Sequence, residues 1–147
     1  MNETGQSEEN RFHRGQSVLV TGATGFAGAV LARRLKSDGA RVRVLVRSKE
    51  KLKNKGLQDL EAVEGSVDDW SAVAEAMKGV EVVYHLAAAY REGGLGAAGY
   101  RAVHVDGTRN LCEAALKEGV KRFVHCSTVG IHGHIQNPPA DEDSPIA

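Results

Sequence analysis

The stretch Thr21–Gly28, TGATGFAG, places three glycines in eight positions. It follows the apolar run 17–20 (SVLV), which predicts a strand, and precedes 29–32 (AVLA), which predicts the body of a helix. Glycines at such a turn let the backbone approach a ligand closely, and a helix N-terminus offers unpaired N–H groups and a partial positive charge. The stretch therefore predicts a site for the phosphates of a nucleotide. A purely structural turn is the alternative.

Strand-like and helix-like segments alternate along the rest of the chain. The predicted strands are 17–21, 42–47, 60–64, 80–86 and 121–126, and the predicted helices are 25–38, 49–55, 69–77 and 98–117. This rhythm is typical of an α/β protein with a Rossmann-type, doubly wound parallel sheet of about five strands and helices on both faces. Ligands bind beyond the carboxyl ends of the strands where the winding reverses, which points to Thr21–Gly22 and Leu86–Ala88.

Length and charge fit one ordinary domain. The chain has 147 residues, and 19 Lys and Arg balance 19 Asp and Glu, so no general attraction to nucleic acid or to a membrane surface is expected. The longest apolar stretch is far shorter than the roughly 18 residues of a membrane span. The polar, acidic start lacks the features of a secretory signal. We expect a disordered tail at 1–14, a single domain at 15–147 and a cytoplasmic location.

Several polar or reactive side chains are expected in the interior. Cys112 and Cys126 show no metal-ligand spacing and predict two buried, reduced thiols. His125 falls in a buried-strand pattern, and Trp70 in the apolar face of a helix that Asp68 or Asp69 caps. No metal site is expected, because His132 and His134 lack a matched set of ligands nearby.

Five segments together resemble one known family. TGATGFAG is similar to the cofactor loop of the extended short-chain dehydrogenase/reductase family, of the NAD-dependent epimerase/dehydratase type. The other four matches are His85–Ala88 (the family's HLAA), His104–Asn110 (its NVxGTxN), Val124–Thr128 followed by Gly133 (its SSxxVYG), and the loop Pro139–Pro145. The resemblance covers 15–147, the N-terminal part of the family's length, and is closest to the dihydroflavonol-reductase-like and sterol-dehydrogenase-like branches. It implies that the family's last strand and C-terminal substrate domain are not among these residues.

The resemblance implies a set of cofactor contacts. Around the pyrophosphate and the nearby ribose it places Gly22, Thr24, Gly25, Phe26 and Ala27, and it gives Gly28 the packing of the helix on the sheet. Near the adenine it places Ser66, where the family has Asp, and the backbone of Val67. Beside the nicotinamide ribose it places Leu86, Ala87, Ala88 and Val105. Thr128 stands at the position of the catalytic hydroxyl that holds the substrate oxygen. Ser127 is expected near the cofactor and substrate, with a hydrogen bond within the strand end as the alternative. His85 is expected to be a packing residue.

The end of the second predicted strand bears on the choice of cofactor. The acidic residue that binds the ribose 2′-OH of NAD is absent there, and the chain instead has Arg47-Ser48-Lys49. An arginine can grip a 2′-phosphate with two hydrogen bonds. Arg47 therefore favours NADP over NAD, with a solvated basic face as the alternative.

The family's proton donor, a tyrosine in a Tyr-x-x-x-Lys motif, does not occur in these 147 residues. The resemblance thus implies the cofactor-binding part of an oxidoreductase, epimerase or dehydratase for a small carbinol or carbonyl substrate. We expect no turnover by these residues alone. The alternative is a non-catalytic NADP-binding or sensor module. A homodimer is an expectation from the resemblance only.

Overall fold

Strands and helices alternate in the computed structural model, which describes residues 13–90, 94–135 and 138–146. The strands are β1 (Ser17–Thr21), β2 (Arg41–Val46), β3 (Glu61–Glu64), β4 (Val82–His85) and β5 (Arg122–His125). The helices are α1 (Phe26–Ser37), α2 (Glu50–Lys53), α3 (Trp70–Met77), α4 (Ala97–Arg101) and α5 (Gly107–Glu118). Each predicted strand and helix is present, and the ends agree within two residues.

The described strands form one parallel sheet in the order β3-β2-β1-β4-β5. In register, Val18 of β1 lies opposite Val42 of β2 on one side and Val82 of β4 on the other. The winding reverses between β1 and β4. The structure thereby confirms the Rossmann-type, doubly wound α/β fold.

Each face of the sheet carries its own apolar core. Val18 and Val20 of β1 point to the face covered by α1 and α2, whereas Leu19 points to the face covered by α3 and α5. The first core contains Ala29, Ala32 and Leu35 of α1, and the second contains Val73, Met77, Leu111 and Ala115. A central strand buried on both faces needs a continuous apolar run, which explains the sequence of β1.

The prediction that the two thiols and His125 are buried was wrong. Cys112, Cys126 and His125 are all exposed. β5 pairs only with β4 among the described residues and so lies at an edge of the sheet, where an apolar-looking strand is only partly covered. Cys112 lies on the outer side of α5, away from Leu111.

Trp70 is not a core residue of α3 either. Its side chain is 37% exposed, and the Nζ of Lys117 lies 4.3 Å from its ring centroid. The helix buries Ala72, Val73, Ala76 and Met77 instead. Of the two predicted caps, Asp69 is the one used, because its carboxylate accepts hydrogen bonds from the amides of Ser71 and Ala72.

The predicted long helix contains an irregular segment. Residues Ala102–Asp106 form a π-helical stretch between α4 and α5. Directly after it, Gly107 packs against Val67, which follows β3 in the chain. A Cβ at position 107 would lie 2.5 Å from the Cγ2 atom of Val67.

The predicted tail falls largely outside the described residues, which start at His13. The Nε2 atom of His13 lies 2.8 Å from the hydroxyl of Tyr84 on β4. No helix in the described part of the chain is long and apolar enough to cross a membrane.

Candidate nucleotide-binding site

A cavity of about 310 Å³ lies where the winding of the sheet reverses. It is bounded by the residues that follow β1, β2, β3 and β4, together with one side chain from the π-helical stretch. The lining residues are Gly22, Thr24, Gly25, Leu45, Val46, Arg47, Gly65, Ser66, Val67, Leu86, Ala87, Ala88, Ala89 and Val103. The cavity thus sits beyond the carboxyl ends of the strands, the usual ligand position in an open α/β sheet.

Two glycines bring three backbone segments together at the floor of the cavity. A Cβ at Gly22 would lie 2.7 Å from the carbonyl carbon of Leu86, and the φ of Gly22 is +76°. A Cβ at Gly28 would lie 2.2 Å from the carbonyl oxygen of Gly22. The start of α1, the end of β1 and the end of β4 can approach this closely only because both positions lack a side chain.

The first turn of α1 is suited to an anion. Its N-cap residue, Gly25, is extended and exposed, lines the cavity and has no side chain that could cap the helix. The first turn contains no acidic residue. Gly25 thus brings the N-terminal end of α1 to the cavity, where no carboxylate of the first turn would compete with a bound phosphate.

Nine of the predicted contact residues line this cavity: Gly22, Thr24, Gly25, Arg47, Ser66, Val67, Leu86, Ala87 and Ala88. Gly28 lies behind the loop, packed on Gly22. Phe26, at 91% exposed, and Ala27 lie at the surface of the first turn, outside the cavity lining. Val105 is also outside the lining and is 41% exposed.

Five lining residues were missed by the sequence analysis. Leu45 and Val46 belong to the end of β2, Gly65 and Ala89 extend predicted segments by one residue, and Val103 comes from the π-helical stretch. The rule that ligands lie at the carboxyl ends of parallel strands could have indicated the first four. Val103 has no comparable signal in the sequence.

The described residues around Arg47 include a carboxylate that the sequence analysis did not consider. Glu64 lies at the end of β3, opposite Val46, and accepts a hydrogen bond from the backbone amide of Lys49 at 3.1 Å. Arg47 itself lines the cavity and is exposed. The carboxylate of Glu64 therefore lies beside the segment 47–49, of which Arg47 lines the cavity.

The two hydroxyls predicted near the reaction centre lie after β5, outside the cavity lining. Thr128 begins the 3-10 turn Val129–His132, and its Oγ1 accepts a hydrogen bond from the amide of Gly130 at 3.2 Å. Ser127 and Thr128 are both exposed. They lie at the carboxyl ends of the strands, as the cavity does, because β5 is the parallel neighbour of β4.

A buried polar pair lies behind the wall formed by 86–89. The Nδ1 atom of His85 is 2.8 Å from the Oγ1 of Thr21, and its Nε2 atom is 3.0 Å from the Oγ1 of Thr108. Burial, together with repulsion from His125 and His104, lowers the pKa of His85 from 6.5 to about 4. His85 is therefore a neutral imidazole near pH 7.

Within the described residues, no three His, Cys, Asp or Glu side chains come together as a metal site would require. The cavity offers backbone amides, the guanidinium of Arg47, the hydroxyls of Thr24 and Ser66, and an apolar wall. This combination fits a phosphorylated, partly apolar ligand.

Comparison with known proteins identifies a family, and relatives that this chain matches over part of their length. The sequence profile of the NAD dependent epimerase/dehydratase family matches residues 18–147. The sterol demethylase protein B of Methylococcus capsulatus is 37% identical over 119 residues, covering 80% of this chain and 36% of that protein. A putative dihydroflavonol 4-reductase of Synechocystis sp. is 36% identical over 137 residues, covering 87% of this chain and 38% of that protein.

Two solved structures of similar sequence share the fold of this chain. A short-chain dehydrogenase/reductase superfamily protein of Agrobacterium tumefaciens, crystallised with bound NAD, is 33% identical with a TM-score of 0.79. The enzyme WbmG of Bordetella bronchiseptica, crystallised with NAD, is 30% identical with the same TM-score. The chain is covered to 90% in both cases and spans 39% and 44% of those two chains, so it matches less than half of each relative.

Proposed function

The chain belongs to the NAD dependent epimerase/dehydratase family, and from this premise we propose that its cavity binds a nicotinamide dinucleotide. The observation that carries the proposal is the cavity at the switch point of the sheet, which is lined by Gly25 at the uncapped N-terminus of α1. Such a dinucleotide, when bound, supplies hydride transfer at its nicotinamide ring.

The residues of the cavity fit the successive parts of a dinucleotide. The loop at Gly22, Thr24 and Gly25 receives the pyrophosphate, since these residues line the cavity at the N-terminus of α1. Ser66 and Val67 hold the adenine end. Leu86, Ala87 and Ala88 form the wall beside the nicotinamide ribose, and Phe26 and Ala27 contribute their amides from the first turn of α1.

The preferred cofactor in this proposal is NADP, and NAD is the alternative. Support for NADP comes from Arg47, which lines the outer end of the cavity and is followed by Ser48 and Lys49. Support for NAD comes from the two similar structures crystallised with it. An arginine that pairs with a 2′-phosphate discriminates between the two cofactors, because the 2′-hydroxyl of NAD offers no charge.

Titration of the purified chain with NADP and with NAD tests this assignment directly. We expect Arg47→Ala to weaken NADP binding about tenfold and to leave NAD binding within about twofold, since one charge-assisted pair is worth roughly 1.4 kcal/mol or more. Arg41→Ala is the matched control, because Arg41 is an exposed arginine at the opposite end of the same strand. Equal weakening of both cofactors would favour a general electrostatic role. A wild type that binds neither would refute the dinucleotide proposal.

We propose that the wider protein context is an oxidoreductase, epimerase or dehydratase acting on a carbinol or carbonyl substrate. In it, Thr128 orients the substrate oxygen, and Ser127 lies next to it. The 147 residues contain no Tyr-x-x-x-Lys motif to donate the proton, so these residues alone are expected to bind the cofactor without turning over a substrate.

A second candidate is a module that binds NADP without catalysis, to which a protein without a Tyr-x-x-x-Lys motif would be limited. Reading the coding sequence beyond Ala147 separates the two candidates. A Tyr-x-x-x-Lys segment shortly after this point supports the enzyme, and a stop codon supports the binding module.

A further inference from the structure

A chain of polar groups runs through the interior behind the cavity wall. It starts at the amide of Ala87, which lies 3.1 Å from the Oγ1 of Thr21 on β1. It continues from Thr21 to the ring of His85 on β4, and from that ring to the hydroxyl of Thr108 on α5. It ends at the carbonyl oxygen of His104, 2.7 Å from the Oγ1 of Thr108.

The two ends of this chain determine the direction of every hydrogen bond in it. A carbonyl oxygen can only accept, so the hydroxyl proton of Thr108 is donated to His104. The oxygen of Thr108 must then accept from His85, which requires a proton on the Nε2 atom of His85. This assigns the tautomer from the hydrogen-bond network.

The directions of the remaining two hydrogen bonds follow from this tautomer. A neutral ring with its proton on Nε2 has a lone pair on Nδ1, so Thr21 donates its hydroxyl proton to His85. The oxygen of Thr21 is then free to accept from the N–H of Ala87. A second proton on the ring would take up the lone pair of Nδ1 and leave the hydroxyl proton of Thr21 without this acceptor.

We propose that His85 is a positioning residue for the cavity wall 86–89. As the Nε2–H tautomer it accepts the hydroxyl proton of Thr21 and thereby holds the Thr21 oxygen where it accepts from the Ala87 amide. It thereby sets the distance between the wall and the loop at Gly22. Its role is exerted through Thr21, since His85 does not line the cavity.

A separate hydrogen bond holds the far end of the same wall. The Nε2 atom of His104 lies 3.0 Å from the carbonyl oxygen of Ala89, and a carbonyl can only accept. The wall is thus fixed at the amide of residue 87 from β1 and at the carbonyl of residue 89 from the π-helical stretch. Loss of the Thr21 contact is expected to free the near end alone.

The first test needs no bound ligand. Nitrogen-15 spectra of the histidine side chains at pH 7 are expected to show His85 protonated only on Nε2. In Thr21→Val, which keeps the side-chain shape but removes the hydroxyl, amide hydrogen exchange at Ala87 is expected to be at least about tenfold faster. Thr21→Ser keeps the hydroxyl and is expected to retain the slow exchange.

Residue-specific exchange separates this role from a general loss of stability. The amides of Val83 and Leu111, which are fully buried in the second core, are expected to exchange as in the wild type. An Nδ1–H or doubly protonated His85 would overturn the proposal, and so would equal acceleration at all three amides. Should Thr21→Val fail to fold, Thr108→Val removes the acceptor of the Nε2–H instead. It is expected to alter the His85 spectrum and to accelerate exchange at Ala87.

The second test rests on the proposed function. Thr21→Val is expected to weaken dinucleotide binding about tenfold, and Thr21→Ser to restore it to within about twofold. Unchanged affinity in Thr21→Val would overturn the positioning role. A wild type that binds no dinucleotide would refute the proposed function, and the spectra and exchange rates would still decide the tautomer and the Thr21–Ala87 contact.

Discussion

Gly22 combines a positive φ with a close approach to the backbone that follows β4. Its φ of +76° is unfavourable for any other residue, and a Cβ would lie 2.7 Å from backbone atoms of Leu86, which cannot move without shifting β4. We expect Gly22→Ala to lower the free energy of unfolding by about 3 kcal/mol or more, measured by urea denaturation.

Gly56 provides the control for this prediction. It also has a positive φ, +64°, but a Cβ there would meet no atom within 4 Å. Gly56→Ala therefore carries only the conformational cost of about 1 kcal/mol. Equal losses in the two variants would show that backbone conformation alone, rather than the close approach to Leu86, makes glycine necessary at position 22.

At the scale of the secondary-structure elements, the π-helical stretch decides which valine reaches the cavity. A π turn accommodates more residues than an α turn, so side chains around it lie at different angles from those that an α-helical period predicts. Val103 lines the cavity, whereas Val105 lies outside its lining. The assignment of Val105 to the cofactor site stays a prediction, and the two positions can be compared directly.

A glutamate introduced at position 103 or at position 105 tests which of the two valines lies in the cavity. Val103→Glu is expected to weaken dinucleotide binding at least about tenfold, because it brings a negative charge to a cavity proposed to hold phosphates. Val105→Glu is the matched control and is expected to bind within about twofold of the wild type. The reverse order of the two affinities would place Val105 in the site. Circular dichroism of both variants verifies that they are folded.

The strands and helices were predictable because the spacing of apolar residues and the residue types at the ends of the elements indicate the same boundaries. The strand pattern of 17–21, the capping aspartates before α3 and the glycine after α5 each have a local cause in the sequence. Exposure was harder to predict. Phe123 and Val124 give β5 the composition of a buried strand, and only the sheet order shows that it lies at an edge. The π-helical stretch has no signature that apolar spacing could detect.

For the molecule as a whole, the location of the cavity followed from topology and glycine spacing, and the residues behind it did not. The rule for parallel sheets places a ligand between the ends of β1 and β4 in any sequence with this strand order. The contacts among Thr21, His85 and Thr108 join positions far apart in the chain. They depend on the register of β1 with β4 and on the placement of α5, which no single segment specifies.

The stability of the whole molecule is expected to depend on pH through His85. In the folded state burial lowers its pKa to about 4, whereas the unfolded chain takes up the proton near 6.5. The unfolded state therefore binds more protons between these values. The contribution of His85 is fully present above about pH 6.5 and is lost as the pH falls toward 4, by about 3 kcal/mol in all.

Urea denaturation at pH 7 and at pH 4.5 measures this loss. His85→Gln is expected to be less stable at pH 7 and to lose much less stability on acidification than the wild type. His134→Gln, which changes an exposed histidine, is the control and is expected to keep the wild-type dependence. An unaltered dependence in His85→Gln would assign the acid sensitivity to other groups.

The Thr21–His85 pair also constrains how this protein can change over generations. Both side chains are buried, at 0% and 1% exposure, and they lie opposite each other in the register of β1 and β4. Replacing either one leaves its partner with an unmet hydrogen bond in the interior, whereas replacing both by apolar residues removes that penalty and leaves only the Ala87 amide without its Thr21 acceptor. Selection therefore acts on the two positions jointly. We expect homologous lineages either to retain the pair or to have lost both members, with intermediates carrying one member rare.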